Sequence, residues 1–245
     1  MKFRVVGGAG RVAVDSANRG AIMSTAKGYR GFAAFAVIWA LSGCDISVDG
    51  DGSTKVNGSV HIPAGKAAEE ARTVNGSIHV DDNAAVTSAA TVNGSVRLGA
   101  HATAGSMKTV NGAITLGEGA HVSGSAGSVN GELTLANGAE IAGSLVNVNG
   151  KISLSSAHVG GGIKTVNGNV SIMGNSHVEG GILVEKPNSV LFNSEDPVIV
   201  IGPGAAVQGD LRFERRVKLY VSDKATIGTV TGATPIMFSG ENPSN

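Results

Sequence analysis

The stretch Thr73-Val74-Asn75-Gly76-Ser77-Ile78 returns 18 residues later as Thr91-Val92-Asn93-Gly94-Ser95-Val96. Its Val-Asn-Gly centre occurs seven times, beginning at Val56, Val74, Val92, Val110, Val129, Val148 and Val166, at intervals of 18, 18, 18, 19, 19 and 18 residues. A fixed short period of this kind marks a solenoid, whose units bury their apolar side only by stacking on one another.

Counted from its Val, each unit carries an aliphatic residue at position 5 (Val60, Ile78, Val96, Ile114, Leu133, Ile152, Val170) and another at position 7 (Ile62, Val80, Leu98, Leu116, Leu135, Leu154, Ile172). Position 6, between them, is mostly polar (His61, His79, Arg97, Thr115, Thr134, Ser153, Ser171). That alternation is a strand with one buried and one wet face. A third column at position 13 reads Ala68, Val86, Ala104, Val122, Ile141, Gly160 and Val178.

Asn-Gly is also the strongest signal for a two-residue hairpin, so an antiparallel meander competes with a helical winding. In a hairpin, position 1 shares a face with position 4, which reads Ser, Ser, Ser, Ala, Glu, Lys and Asn, and seven valines would sit on the polar side. Without a reversal, positions 1, 5 and 7 keep one parity and all point inward. The expected fold is therefore all-β, a single-stranded parallel β-helix of about nine to ten coils of 18–19 residues, roughly 45 Å long at ~4.8 Å per coil. Both one-residue expansions are expected in the turn after position 13.

The asparagine column (Asn57, Asn75, Asn93, Asn111, Asn130, Asn149 and Asn167) then stacks into a structural ladder. Asn and Gly both tolerate the left-handed backbone of a sharp corner, and stacked amides bond along the stack. A ligand-reading row is the alternative. The signature decays after Val166: Val184-Glu185-Lys186-Pro187 takes the next Val position without Asn-Gly, and the rhythm resumes at 198–207 and 217–227. No coil is expected to carry a long insertion. Phe213 to Lys218, the most charged stretch, reads as an edge that blocks strand addition.

Ahead of the repeats, Lys27-Gly28-Tyr29-Arg30 is basic, and Gly31 to Leu41 is an unbroken apolar or small run. These are the charged and hydrophobic regions of a secretory signal, too short for the roughly 20 apolar residues of a membrane span. Leu41-Ser42-Gly43-Cys44 follows and resembles the bacterial lipobox. In that family the Cys thiol is diacylated and the chain is cut before it; carried over here, Cys44 becomes the first mature residue, bearing fatty acyl chains such as palmitate. The resulting organisation is 1–22 as an upstream extension before a start at Met23, 23–43 as lipoprotein signal peptide, 44–53 as anchor and leader, 54–231 as β-helix and 232–245 as polar tail. Cys44 is the only cysteine, which excludes an intramolecular disulfide.

Six of the 19 basic residues and one of the 19 acidic residues lie within 1–43, leaving 13 and 18 from Cys44 onward, a net charge of about −5. No basic stripe is left for nucleic acid. The repeated Thr-Val-Asn-Gly-Ser-Ile/Val motif resembles the adhesin-type β-helix domains of bacteria. The Gly-Ala-x-Val/Ile-x-Gly phrase (119–124, 138–143, 204–209) resembles bactofilins, which polymerise end to end. Neither resemblance supplies an enzymatic site.

The expected function is thus a lipid-anchored, non-catalytic structural or adhesin-like protein of the bacterial cell envelope, at either membrane with the outer one favoured. An envelope scaffold polymerising through coil ends is the first alternative. A β-helix enzyme acting on polysaccharide or transferring acyl groups is the second. Expected partners are the membrane through the N-terminal lipid, and self-association or an envelope polysaccharide or protein surface. His61 and His79 lie one coil apart, and His121, Glu140 and His177 share position 12 with His158 one step out of phase. Both groups read as solvated histidines, with no metal and no cofactor.

Overall fold

The computed structural model describes residues 53–187 and 195–243. Every strand pairing among them is parallel, and the described residues hold strands and turns without a helix. The chain is a parallel β-solenoid. Its first face is a 10-stranded sheet running from Val60–Ile62 to Ile236–Phe238, with one strand per turn. The second and third faces share a 16-stranded sheet. Positions 5 and 7 are register partners along the first face, Val60 with Ile78 and Ile62 with Val80 at its start, and they line the core.

In the early coils the second and third faces run together as nine-residue strands: Ala67–Asn75, Ala85–Asn93 and Thr103–Asn111. From the fourth coil one added residue splits them, as in His121–Val122 followed by Ala126–Asn130. The extra residue falls in the corner after position 13, and its register is fixed by Val122 pairing with Ala104 and Ala126 with Met107. Glycines fill that corner. Gly124, Gly143, Gly161 and Gly180 form a backbone ladder there at 2.9–3.1 Å, and a Cβ on Gly143, Gly161 or Gly180 would strike the backbone of the coil before.

The inward parity differs from the expectation at position 1. Val56 is 54% exposed, and the valines from Val74 to Val148 are half-buried. From Val74 onward the residue before the valine points inward: Thr73, Thr91, Thr109, Ser128, Asn147 and Thr165 are all at most 3% exposed, and only at Val166 is the valine buried as well. The corner is the physical reason. From Thr91 to Val96 the chain takes five steps, an odd number, and both ends are buried. The Asn-Gly-Ser bend therefore resets the alternation that a straight strand would have kept. The parallel winding stands, but valine phase does not explain it.

Three register details also differ. The sixth coil takes its first corner one residue short, so Val159, not Gly160, joins Ile141 and Val178 in the core column. The seventh coil has 19 residues, so Val184 pairs with Thr165 and sits one place before the Val position. A long insertion follows. The path from Thr165 to Val170 takes five steps, and the matching path from Val184 to Ile199 takes 15. Within 232–245, Ile236–Phe238 pairs with the strand Lys218–Ser222 and closes the first face.

Candidate functional site

The solenoid converts sequence repetition into axial columns, and three of them carry polar chemistry. The first is the asparagine row. Each amide nitrogen donates to the amide oxygen one coil earlier: Asn75 to Asn57 at 3.0 Å, then Asn93, Asn111, Asn130, Asn149 and Asn167 to their predecessors at 2.8–2.9 Å. Six bonds thus run unbroken on the outside of the third corner. The asparagines do not take the left-handed backbone. Positive φ falls in the first corner, where Gly65, Asn83, His101, Gly119, Gly138, Ser156, Gly174 and Gly204 have φ between 49° and 75°, and in the Asn-Gly corner on the glycines Gly58 and Gly150. The side-chain bonds, with a strand-like backbone, account for Asn at this position.

The second column explains the residues on either side of Asn. Thr73, Thr91 and Thr109 donate their buried hydroxyls to the carbonyls of Gly58, Gly76 and Gly94 at 2.8–2.9 Å. Ser128 donates its hydroxyl to the Gly112 carbonyl, and Asn147 its amide nitrogen to that of Gly131. Those carbonyls approach the next coil so closely that a Cβ on Gly76, Gly94, Gly112 or Gly131 would collide with the oxygen below it. Gly permits the approach and Thr satisfies the carbonyl that it turns inward. The Thr-x-Asn-Gly pattern is one interlock, and its buried hydroxyls had no signal in hydropathy alone.

Among the described residues the ladder meets a cation at Asn167. Arg215 donates to the Asn167 amide oxygen and to the Val166 carbonyl (3.3 Å). The same guanidinium reaches the Glu195 carbonyl at 3.2 Å, and Arg216 lies 3.7 Å from Asp196. The charged stretch 213–218 is therefore a corner between Leu211–Phe213 and Lys218–Ser222, clamped to the return limb of the insertion, and not a sheet edge.

The third polar feature is histidine. On the first face the Asp81 carboxylate bridges His61 (2.8 Å) and His79 (3.1 Å). On the second face the shortened corner of the sixth coil brings His158 into line, so His121, Glu140, His158 and His177 are successive register partners. Glu140 lies 3.2 Å from His121 and 3.5 Å from His158, and Glu179 lies 3.1 Å from His158. The side chains in these ion pairs are 30–58% exposed. Among the described residues no group of three or more His, Cys, Asp or Glu is arranged to hold a metal ion.

A shallow groove of about 480 Å³ crosses the third face, lined by Val146, Lys164, Leu183 and Arg212, with Gly162 and Gly181 on its rim. Its cations are matched: Lys164 pairs with Glu185 at 2.6 Å and Arg212 with Glu214 at 2.9 Å. Among the described residues the groove's lining carries one hydroxyl, Ser144, and no histidine beside it. Leu41, Ser42, Gly43 and Cys44 lie outside the described residues.

Fold and columns together define a parallel β-solenoid whose polar side chains are spent largely on one another. Comparison with family models, with curated proteins and with solved structures finds no match for this chain.

Proposed function

We propose that the chain is a non-catalytic structural solenoid of the bacterial cell envelope, tethered by fatty acyl chains on Cys44 and presenting its side faces to envelope polysaccharide or protein. The observation that carries the reading is the continuous interlock of asparagine amides and buried hydroxyls, which commits the repeated polar residues to holding coils in register. The envelope address rests on the basic and apolar residues before Leu41-Ser42-Gly43-Cys44. Several acyl chains at ~0.8 kcal/mol per buried CH₂ give stable anchoring. The test is mass spectrometry of the mature N-terminus with and without globomycin, alongside a Cys44→Ser variant. Acylated Cys44 in the membrane fraction, lost in the variant, supports the tether; an unmodified Cys44 in soluble protein rejects it. Deletion strains scored for surface attachment then test the adhesive role.

A second reading, a scaffold assembling through coil ends, is favoured by one observation. Ile236 and Met237, in the last described strand, are 50% and 60% exposed beside an edge that is unpaired among the described residues. Concentration-dependent rods in electron micrographs, abolished by Ile236→Lys, would support it, and monodisperse particles at all concentrations would reject it.

A further inference from the structure

The chain contains eight Asn-Gly steps, seven in the ladder and one at Asn137-Gly138. Asn-Gly is the peptide step most prone to lose its side-chain amide, because Gly has no Cβ to shield its nitrogen. The Gly nitrogen attacks the Asn Cγ, a new N–Cγ bond closes a five-membered imide, and the Cγ–Nδ2 bond breaks. Ammonia leaves with the proton given up by the backbone amide. Water then opens the imide at either carbonyl, leaving Asp or an isoaspartyl link. Water is the only co-reactant. Two things must happen first: the Asn side chain must swing onto its own backbone, and the Gly N–H must be released.

The ladder opposes the first, and backbone bonds between coils oppose the second at five of its seven steps. Each asparagine from Asn75 to Asn149 donates one side-chain bond and accepts another, and Asn167 donates to Asn149 and accepts from Arg215. The N–H groups of Gly58, Gly76, Gly94, Gly112 and Gly131 are bonded to the next coil at 2.9–3.0 Å. Asn137 differs. It lies in the first corner of its coil, exposed, and among the described residues its side chain makes no hydrogen bond. Only the Gly138 N–H is held, by the Ser156 carbonyl at 2.9 Å.

We propose that Asn137 is the site at which the folded chain deamidates, and that the ladder preserves the asparagines from Asn75 to Asn167. Asn57, bonded on its acceptor side alone among the described residues, falls between the two. Breaking two side-chain bonds at once slows the ladder sites roughly 30-fold relative to Asn137. An isoaspartyl link at Asn137 lengthens the backbone of a corner whose carbonyl accepts the Gly119 N–H and whose next N–H binds Ser156.

The experiment is a time course on the full chain in mildly alkaline buffer, read by peptide mapping that separates Asn, Asp and isoaspartyl forms. In folded protein Asn137-Gly138 converts first while the steps at Asn75 to Asn167 stay at least about tenfold slower. In denaturant all eight convert at similar rates. Ladder sites that convert in folded protein as fast as Asn137 overturn the proposal. So does a denatured chain in which Asn137 remains the fast site, because local sequence would then be the cause. In Arg215→Ala, conversion at Asn167 rises and Asn93 is unchanged. An unchanged Asn167 rate in that variant removes Arg215 from the protection.

Discussion

Replacing Thr91 with Val tests the interlock with almost no change in shape. Thr91 is 1% exposed, and its hydroxyl donates to the Gly76 carbonyl at 2.8 Å. Thr91→Val exchanges that hydroxyl for a methyl, removes the bond and leaves a carbonyl turned toward the core without its donor. A missing partner at a buried acceptor costs about 1–3 kcal/mol, and because the Gly76 site is only partly buried the lower part of that range applies, about 1–2 kcal/mol. The companion Val92→Thr changes a half-buried residue on the outer side and should fall within about 0.5 kcal/mol of wild type. Thr91→Ser keeps the hydroxyl and loses about one buried methyl, ~0.8 kcal/mol. Urea unfolding with slopes compared across the set is the assay, with amide exchange over residues 76–93 as a local readout, because solenoids can open coil by coil. Had the Val column faced inward, Thr91→Val would be neutral and Val92→Thr costly. That inverted pattern would refute the interlock.

Gly94→Ala forces a Cβ onto the Gly76 carbonyl oxygen; overpacking against an immovable backbone should cost about 1–3 kcal/mol or more, read as a fall in the urea midpoint. Asn93→Ala removes two rungs at the centre of the ladder and should cost roughly 1–2 kcal/mol, with faster exchange at the Gly76 and Gly94 amides than at Gly131. Ile141→Ala empties a fully buried site and should cost about 2–5 kcal/mol, whereas Ser123→Ala in the exposed second corner should shift the midpoint little.

The repeat itself was legible because a solenoid gives each structural column a fixed period, and positions 5 and 7 are buried from Val60 to Ile172. What the period did not reveal was parity across a corner. Three residues spent in the Asn-Gly-Ser bend reverse the in–out order, so the inward residues from Thr73 to Thr165 lie one place before the valines that an unbroken alternation turns inward. Corner length also hid the alignment of His158: one residue fewer between Leu154 and His158 than between Leu135 and Glu140 shifts it into register. The insertion after Val184 was missed because eighteen residues on from Val166 a valine happens to occur, with the wrong partner. Arg215 carries no periodic signal at all. Its contact with Asn167 is a long-range one, made 48 residues on in the chain.

Successive windings lie one strand spacing apart. Spin labels at His61→Cys and Ser171→Cys, in a Cys44→Ser background, sit six coils apart on the first face. At ~4.8 Å per coil, electron–electron dipolar spectroscopy should read about 29 Å between them, and labels at positions 79 and 153 about 19 Å. A meander that turned back at each Asn-Gly would place two strands in every repeat and roughly double both distances, and that reading would contradict the stacked-coil account.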